Sequence, residues 1–120
     1  MSHMVSIQTK VHDPAAITAA CSRLNLAAPV RGTAQLFSGE ATGLIIQLPG
    51  WQYPAVIEVR SGAIHFDNFN GQWGEQAQLD RFVQMYVVEK AKRESHKKGY
   101  QVSEQQIQDG SIKLQIIEGT

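Results

Sequence analysis

The chain opens on an alternation in which Val5, Ile7, Thr9 and Val11 are separated by Ser6, Gln8 and Lys10. A period of two is what a strand with one buried face requires, because successive side chains leave the backbone on opposite sides. The rhythm changes at Asp13-Pro14. A residue before proline is held out of the helical region, as an N-cap must be, and proline suits the first helical position, so a helix is predicted from there. Ile17, Cys21 and Leu24 mark its buried stripe. Beyond Pro29, short apolar runs near 33–37, 44–48, 53–59 and 63–67 read as strands punctuated by glycine and proline. Arg60-Ser61-Gly62-Ala63 has the composition of a tight hairpin turn, Pro49-Gly50-Trp51-Gln52 that of a longer exposed one, and Asn70-Gly71 marks another turn.

A second, longer helix is predicted over 75–98, because Leu79, Phe82, Val83, Tyr86, Val87 and Ala91 recur at three- and four-residue spacing. Glu75 and Asp80 stand near its positive end and Lys97 and Lys98 near its negative end, with Gly99 free to take a left-handed C-cap conformation. The chain closes on a hairpin in which Gln108-Asp109-Gly110-Ser111 turns 100–107 back onto 111–117, with Ile112, Leu114 and Ile116 as its packing face. No repeat, linker or low-complexity stretch interrupts this order. The reading is one α+β domain: a mostly antiparallel sheet with two helices packed on one face and a C-terminal helix–hairpin unit. Phe82, Val83, Tyr86, Val87, Ile112, Leu114 and Ile116 are expected to share one core.

Composition narrows the function classes. Eleven basic and eleven acidic side chains cancel, so no summed positive field exists to hold a phosphate backbone, and nucleic-acid binding would need a local patch. The one candidate patch, Lys90, Lys92, Arg93, Lys97 and Lys98, is explained by Glu89, Glu94 and the helix dipole. Cys21 is the only cysteine, which excludes an internal disulfide, and its place on an apolar stripe suits an inert thiol. The start of the chain lacks an apolar export core and no 18-residue apolar run occurs, so a cytoplasmic protein without a membrane partner is expected. Met1-Ser2-His3-Met4 is similar to the remnant of a purification tag, while Met1 favours a native start.

Candidate chemistry is sparse. His65 and Asp67 stand two apart on a predicted strand and so share a face, where a carboxylate could orient an imidazole; the competing reading is a solvated strand face. His3, His12, His65 and His96 have no metal-ligand spacing, and Gly71-Gln72-Trp73-Gly74 lacks the spacing and the lysine of a phosphate loop. No catalytic, cofactor or metal residue is assigned on this basis. Trp51, bracketed by Pro49, Gly50, Tyr53 and Pro54, is the most suggestive residue, since a stiff loop can hold an aromatic ring outward for a partner. Trp51 or Trp73 could equally fold back to cap the sheet. Trp51, Tyr53, Lys97 and Lys98 are the residues assigned to partner binding.

Met1-Ser2-His3 running into an alternating strand, a helix with Leu79, Gln84, Tyr86 and Ala91, and the succession Gly99-Tyr100-Gln101-Val102-Ser103-Glu104-Gln105-Gln106 form a pattern. Asp109-Gly110-Ser111-Ile112-Lys113-Leu114 completes it. The chain thereby resembles the hypothetical chloroplast open reading frame 35 family, also called domain of unknown function 1257, carried by cyanobacteria, red-algal plastids and other bacteria. The likeness covers about half the chain, chiefly 79–116 and the first ten residues, and includes no catalytic signature. It implies an accessory role beside a AAA-type ATPase or a ferredoxin-like neighbour. The functional expectation is a small non-catalytic adaptor acting through protein binding; the alternative is a ligand-binding protein or enzyme with a site around His65 and Asp67.

Overall fold

The computed structural model describes residues 4–107 and 111–117, so the turn residues Gln108, Asp109 and Gly110, and with them His3, lie outside the described residues. The elements run β1 (Val5–Gln8), α1 (Pro14–Arg23), β2 (Val30–Gln35), β3 (Glu40–Ile46), β4 (Ala55–Glu58), β5 (Ala63–Phe66), α2 (Gln76–Lys97), β6 (Gln101–Gln106) and β7 (Ile112–Ile117). The first five strands form one antiparallel sheet in the order β1-β5-β4-β3-β2. The first strand of the chain therefore closes one edge beside β5, with Val5 opposite Phe66 and Gln8 opposite Ala63. The α+β class is borne out, with both helices on one face of this sheet. The hairpin β6–β7 stands apart as a second, two-stranded sheet.

Local chemistry sets both helices. Asp13 caps α1 by accepting from the Ala15 N–H at 3.0 Å, and Pro14 follows as first helical residue. The end of α2 is a Schellman motif: Gly99 at φ 78° lets its own N–H reach the His96 carbonyl while the Tyr100 N–H reaches that of Ser95. Between the layers, Ala16, Ile17, Ala20 and Cys21 of α1 and Leu79, Phe82 and Tyr86 of α2 bury against Leu44, Ile46, Ile57, Ile64 and Phe66. The Tyr86 hydroxyl accepts from the backbone N–H groups of His12 and Asp13, both at 3.1 Å, and so fixes the β1–α1 connection from below.

The expected single core of α2 and the hairpin is not what forms. Val87 is 57% exposed and Ile116 49%, while Ile112 and Leu114 are only half-buried. The reason is a second stripe on α2. Val88 follows Tyr86 by two residues, roughly 200° around a helix of 3.6 residues per turn, so it faces away from the sheet. Val88 and Ser95 are buried there, and the hairpin packs on that side of the helix.

Ion pairs fasten this outer layer. Glu104 on β6 receives both guanidinium nitrogens of Arg23, at 2.9 and 3.0 Å, and Lys92 Nζ at 2.6 Å. Those cations hold its carboxyl far below the ordinary 4.5, at about 2. A carboxylate depressed by folding adds stability above its unfolded pKa and loses it as pH falls through the folded one. Docking of the hairpin is thus expected to weaken between pH 4.5 and about 2. Loss of β6 amide-exchange protection over that window, abolished in Glu104→Gln, checks it.

The opposite face of the five-stranded sheet carries a smaller cluster, Leu36, Ala41 and Val56, flanked by Ala34, Ile45 and Tyr53. The β2–β3 turn closes with the Leu36 N–H on the Gly39 carbonyl at 2.7 Å, and Ser38 Oγ accepts from the Met4 N–H at 3.1 Å. β1 and β2 are opposite edges of the sheet, so this contact means that the sheet curls around its smaller cluster. Gly43 permits the curl: a Cβ there would lie 2.2 Å from the Ile57 carbonyl oxygen of the neighbouring strand.

Trp51 departs from the exposed turn expected for it. It is 5% exposed and belongs to the main cluster. Its Nε1–H donates to the Glu75 carbonyl at 3.0 Å, and its ring meets Phe66 edge-on at 5.7 Å. Gly74 makes the room, since a Cβ at that position would stand 2.5 Å from the indole.

Candidate binding site

After β5 the chain turns sharply, and what it carries there is the most unusual part of the molecule. Phe69, Asn70 and Gly71 have φ of 46°, 53° and 96°, three left-handed residues in succession. Only glycine adopts that region without steric cost, so Phe69 is held by its surroundings. The holding groups are the buried Asn68 and Asp67. The Asn68 carbonyl accepts from the Gly71 and Trp73 N–H groups at 3.0 and 2.9 Å, and its Nδ2 donates to the Gly74 carbonyl at 3.1 Å. Asp67 Oδ1 accepts from the Phe69 N–H at 3.3 Å. A further bond, Gln52 N–H to the Trp73 carbonyl at 2.8 Å, ties this loop to the β3–β4 connection that bears Tyr53.

The result is a cluster of four rings drawn from three loops. Trp73 is its hub, with centroids 4.8 Å from Phe69, 5.1 Å from Phe37 and 5.5 Å from Tyr53. The interplanar angles run from 51° to 79°, so the rings present ridges and edges rather than one flat face. Tyr53, Phe69 and Trp73 are half-buried, whereas Phe37, on the β2–β3 turn, is 55% exposed.

Beneath the loop lies an electrostatic anomaly. Asp67 is 1% exposed, and its Oδ2 has no hydrogen-bond partner among the described residues. A buried acceptor left unpaired costs about 1–3 kcal/mol. Along the chain from Gly32 to Asp80 the acidic residues are Glu40, Glu58, Asp67, Glu75 and Asp80, against Arg60, with Arg31 and Arg81 flanking the segment. Five of the eleven cations, Lys90, Lys92, Arg93, Lys97 and Lys98, lie toward the far end of α2. There Lys90 pairs with Asp13 and Glu94, Lys92 with Glu89 and Glu104, and Lys97 with Glu94.

Of the residues assigned to partner binding, Tyr53 lies in the ring cluster. Trp51 does not offer its indole to a partner, for it is enclosed by Phe66, Gly74 and Glu75. Lys97 and the exposed Lys98 stand at the opposite end of a helix about 33 Å long at 1.5 Å per residue. His65 and Asp67 do not make a pair. Instead His65 Nδ1 lies 2.6 Å from Ser6 Oγ across the β1–β5 ladder, and Nε2 lies 3.2 Å from Glu58 Oε2.

A serine, an imidazole and a carboxylate in line invite comparison with a nucleophilic triad. These three sit on the open face of paired strands, and β5 is hydrogen-bonded on both sides, so its backbone offers no N–H to a developing oxyanion. The chain of bonds fastens β1 to its neighbours. A cleft of about 310 Å³ between α1, α2 and the hairpin is lined by Arg23, Leu24, Arg81, Met85, Glu104 and Ile112. Its charges are spent on the hairpin ion pairs except for Arg81, which has no partner among the described residues.

Among the described residues no group of three or more histidine, cysteine, aspartate or glutamate side chains is placed to hold a metal ion, and no helix is long and apolar enough to cross a membrane. Compared with models of known families, with curated proteins and with solved structures, the chain matches none.

Proposed function

We propose that the protein is a small non-catalytic adaptor that binds another protein through Phe37, Tyr53, Phe69 and Trp73. The observation that carries this reading is the half-exposed ring cluster, stiffened by a left-handed turn and a ladder of backbone bonds. Aromatic side chains held rigid before binding lose little entropy on contact, which is why they dominate interface energetics. The resemblance of the helix–hairpin residues to the chloroplast open reading frame 35 family points the same way, toward a cytoplasmic accessory of a AAA-type ATPase or a ferredoxin-like protein.

Phe37 is the residue with which to test it, because it projects farthest and supports least. Phe37→Ala is expected to change unfolding free energy by no more than about 1 kcal/mol, the worth of an edge contact between rings. It is expected to weaken partner affinity by about thirtyfold, as loss of an aromatic anchor does. Cross-linked capture from cell extract should recover a partner with the wild type and with the Lys97→Gln, Lys98→Gln double variant, but not with Phe37→Ala. A partner retained by Phe37→Ala would refute the assignment of this surface.

A further inference from the structure

We propose that the ring cluster receives an arginine side chain from the partner, its guanidinium stacked among Phe37, Tyr53 and Trp73 and donating to the unpaired Oδ2 of Asp67. This deepens the adaptor reading and rests on it. Three separate observations converge on a cation as the missing guest. Ring faces attract positive charge through their quadrupole, and Phe37, Tyr53 and Phe69 all stand within 5.5 Å of the Trp73 ring. The Asp67 side chain, bonded through Oδ1 to the backbone of Phe69, keeps one buried oxygen without a donor among the described residues. From Arg31 to Arg81 five acidic residues stand against three arginines, a net negative balance that favours a basic partner over an acidic one.

Arginine fits these demands better than lysine. A guanidinium is planar and weakly hydrated, so it can lie against a ring while its edge N–H groups stay free to donate in plane to a carboxylate. An ammonium is a strongly hydrated point charge, and placing it against a ring costs it more of its hydration shell. The rings already touch, so entry requires one of them to yield. Phe37 is that ring: it is 55% exposed and sits on the short turn 36–39, where a rotamer change lets it swing aside and close back over the guanidinium. Tyr53, Phe69 and Trp73 stay in place, tied by the bonds from Gln52, Asn68 and Asp67.

The test is a titration of ¹⁵N-labelled full chain with N-acetyl-arginine amide, followed at the Trp73 indole N–H and the Phe37 and Phe69 amides. Nα-acetyl-lysine amide and N-acetyl-norleucine amide serve as the compact-cation and neutral comparisons. Saturable shifts are expected with the arginine probe, with affinity about tenfold or more above either comparison. Asp67→Asn keeps an oxygen to accept from the Phe69 N–H, so it should melt near the wild type yet bind the arginine probe about tenfold more weakly. Should that variant unfold, Phe37→Ala supplies the same loss from the surface side.

Equal binding of norleucine amide would reduce the site to an apolar patch and overturn the proposal. So would equal binding of the lysine probe, full affinity in a folded Asp67→Asn, or the lack of saturable shifts up to the solubility of the probe. If the arginine probe fails while partner capture still depends on Phe37, this inference falls and the adaptor reading stands. Capture that ignores Phe37→Ala removes both.

Discussion

Phe82→Ala is expected to lower the unfolding free energy by about 3–5 kcal/mol, the loss seen when a fully enclosed phenyl ring is deleted from a core that cannot close over the gap. Phe82 is 1% exposed and lies in the main cluster, where α1, α2 and the sheet meet. It has neighbours from three directions, and none can follow the vacated volume without breaking strand pairing or the Asp13 cap. Val87→Ala, five residues on and 57% exposed, removes apolar volume from the same helix and should fall within about 0.5 kcal/mol of wild type. Urea melts of the two variants decide the matter. A loss below about 1 kcal/mol for Phe82→Ala would mean that the inner face of α2 is assigned wrongly.

Trp51→Ala should be nearly as damaging, at about 3–5 kcal/mol, and for more than one reason. The indole fills space that Gly74 leaves open, so its removal empties a slot between the β3–β4 connection and the start of α2. It also strips the Glu75 carbonyl of the donor it accepts from at 3.0 Å. Partner capture by this variant should decline only in step with the unfolded fraction. A melt and a capture assay at a temperature where the variant is still folded separate the outcomes: full stability with lost capture would return Trp51 to the binding surface. Gly74→Ala should reproduce the destabilisation from the other side, because the added Cβ and the indole cannot share that space.

The helices were legible because their signals are local. Asp13-Pro14 and Gly99 each act within a turn or two of chain, and α2 spans Gln76–Lys97 where the pattern predicted 75–98. The strands were legible in number and less so in extent. Leu36 and Phe37 look like strand residues at 33–37 but form the turn after β2, because the β2–β3 pairing ends at Gln35 and Glu40 and the Leu36 N–H closes onto the Gly39 carbonyl. What the pattern could not carry was register between strands. The spacing of His65 and Asp67 suggested a pair, yet the groups that reach His65 are Ser6 and Glu58, 59 and 7 residues away in the chain.

Trp51 fails in the same manner. Proline on both flanks describes the stiffness of its loop and says nothing of a glycine 23 positions later that admits the ring. The candidate site was visible only in fragments: Tyr53 was marked for partner binding, Trp73 for capping, Asp67 for acid–base work. Phe37 and Phe69 gave no signal at all, since a lone phenylalanine beside a turn is ordinary until the sheet curls and brings it to Trp73.

Cys21 has no accessible surface in the main cluster, and burial pushes its thiol up to about 11. Such a group is protonated at neutral pH and walled in, so an alkylating reagent reaches it only while α1 is lifted from the sheet. Its rate of modification thus acts as an internal clock that counts openings of that layer. Among the described residues the hairpin adds no side chain to the cluster. Acid release of Glu104 should leave the clock running at the same pace relative to thiolate supply, whereas Phe82→Ala should quicken it.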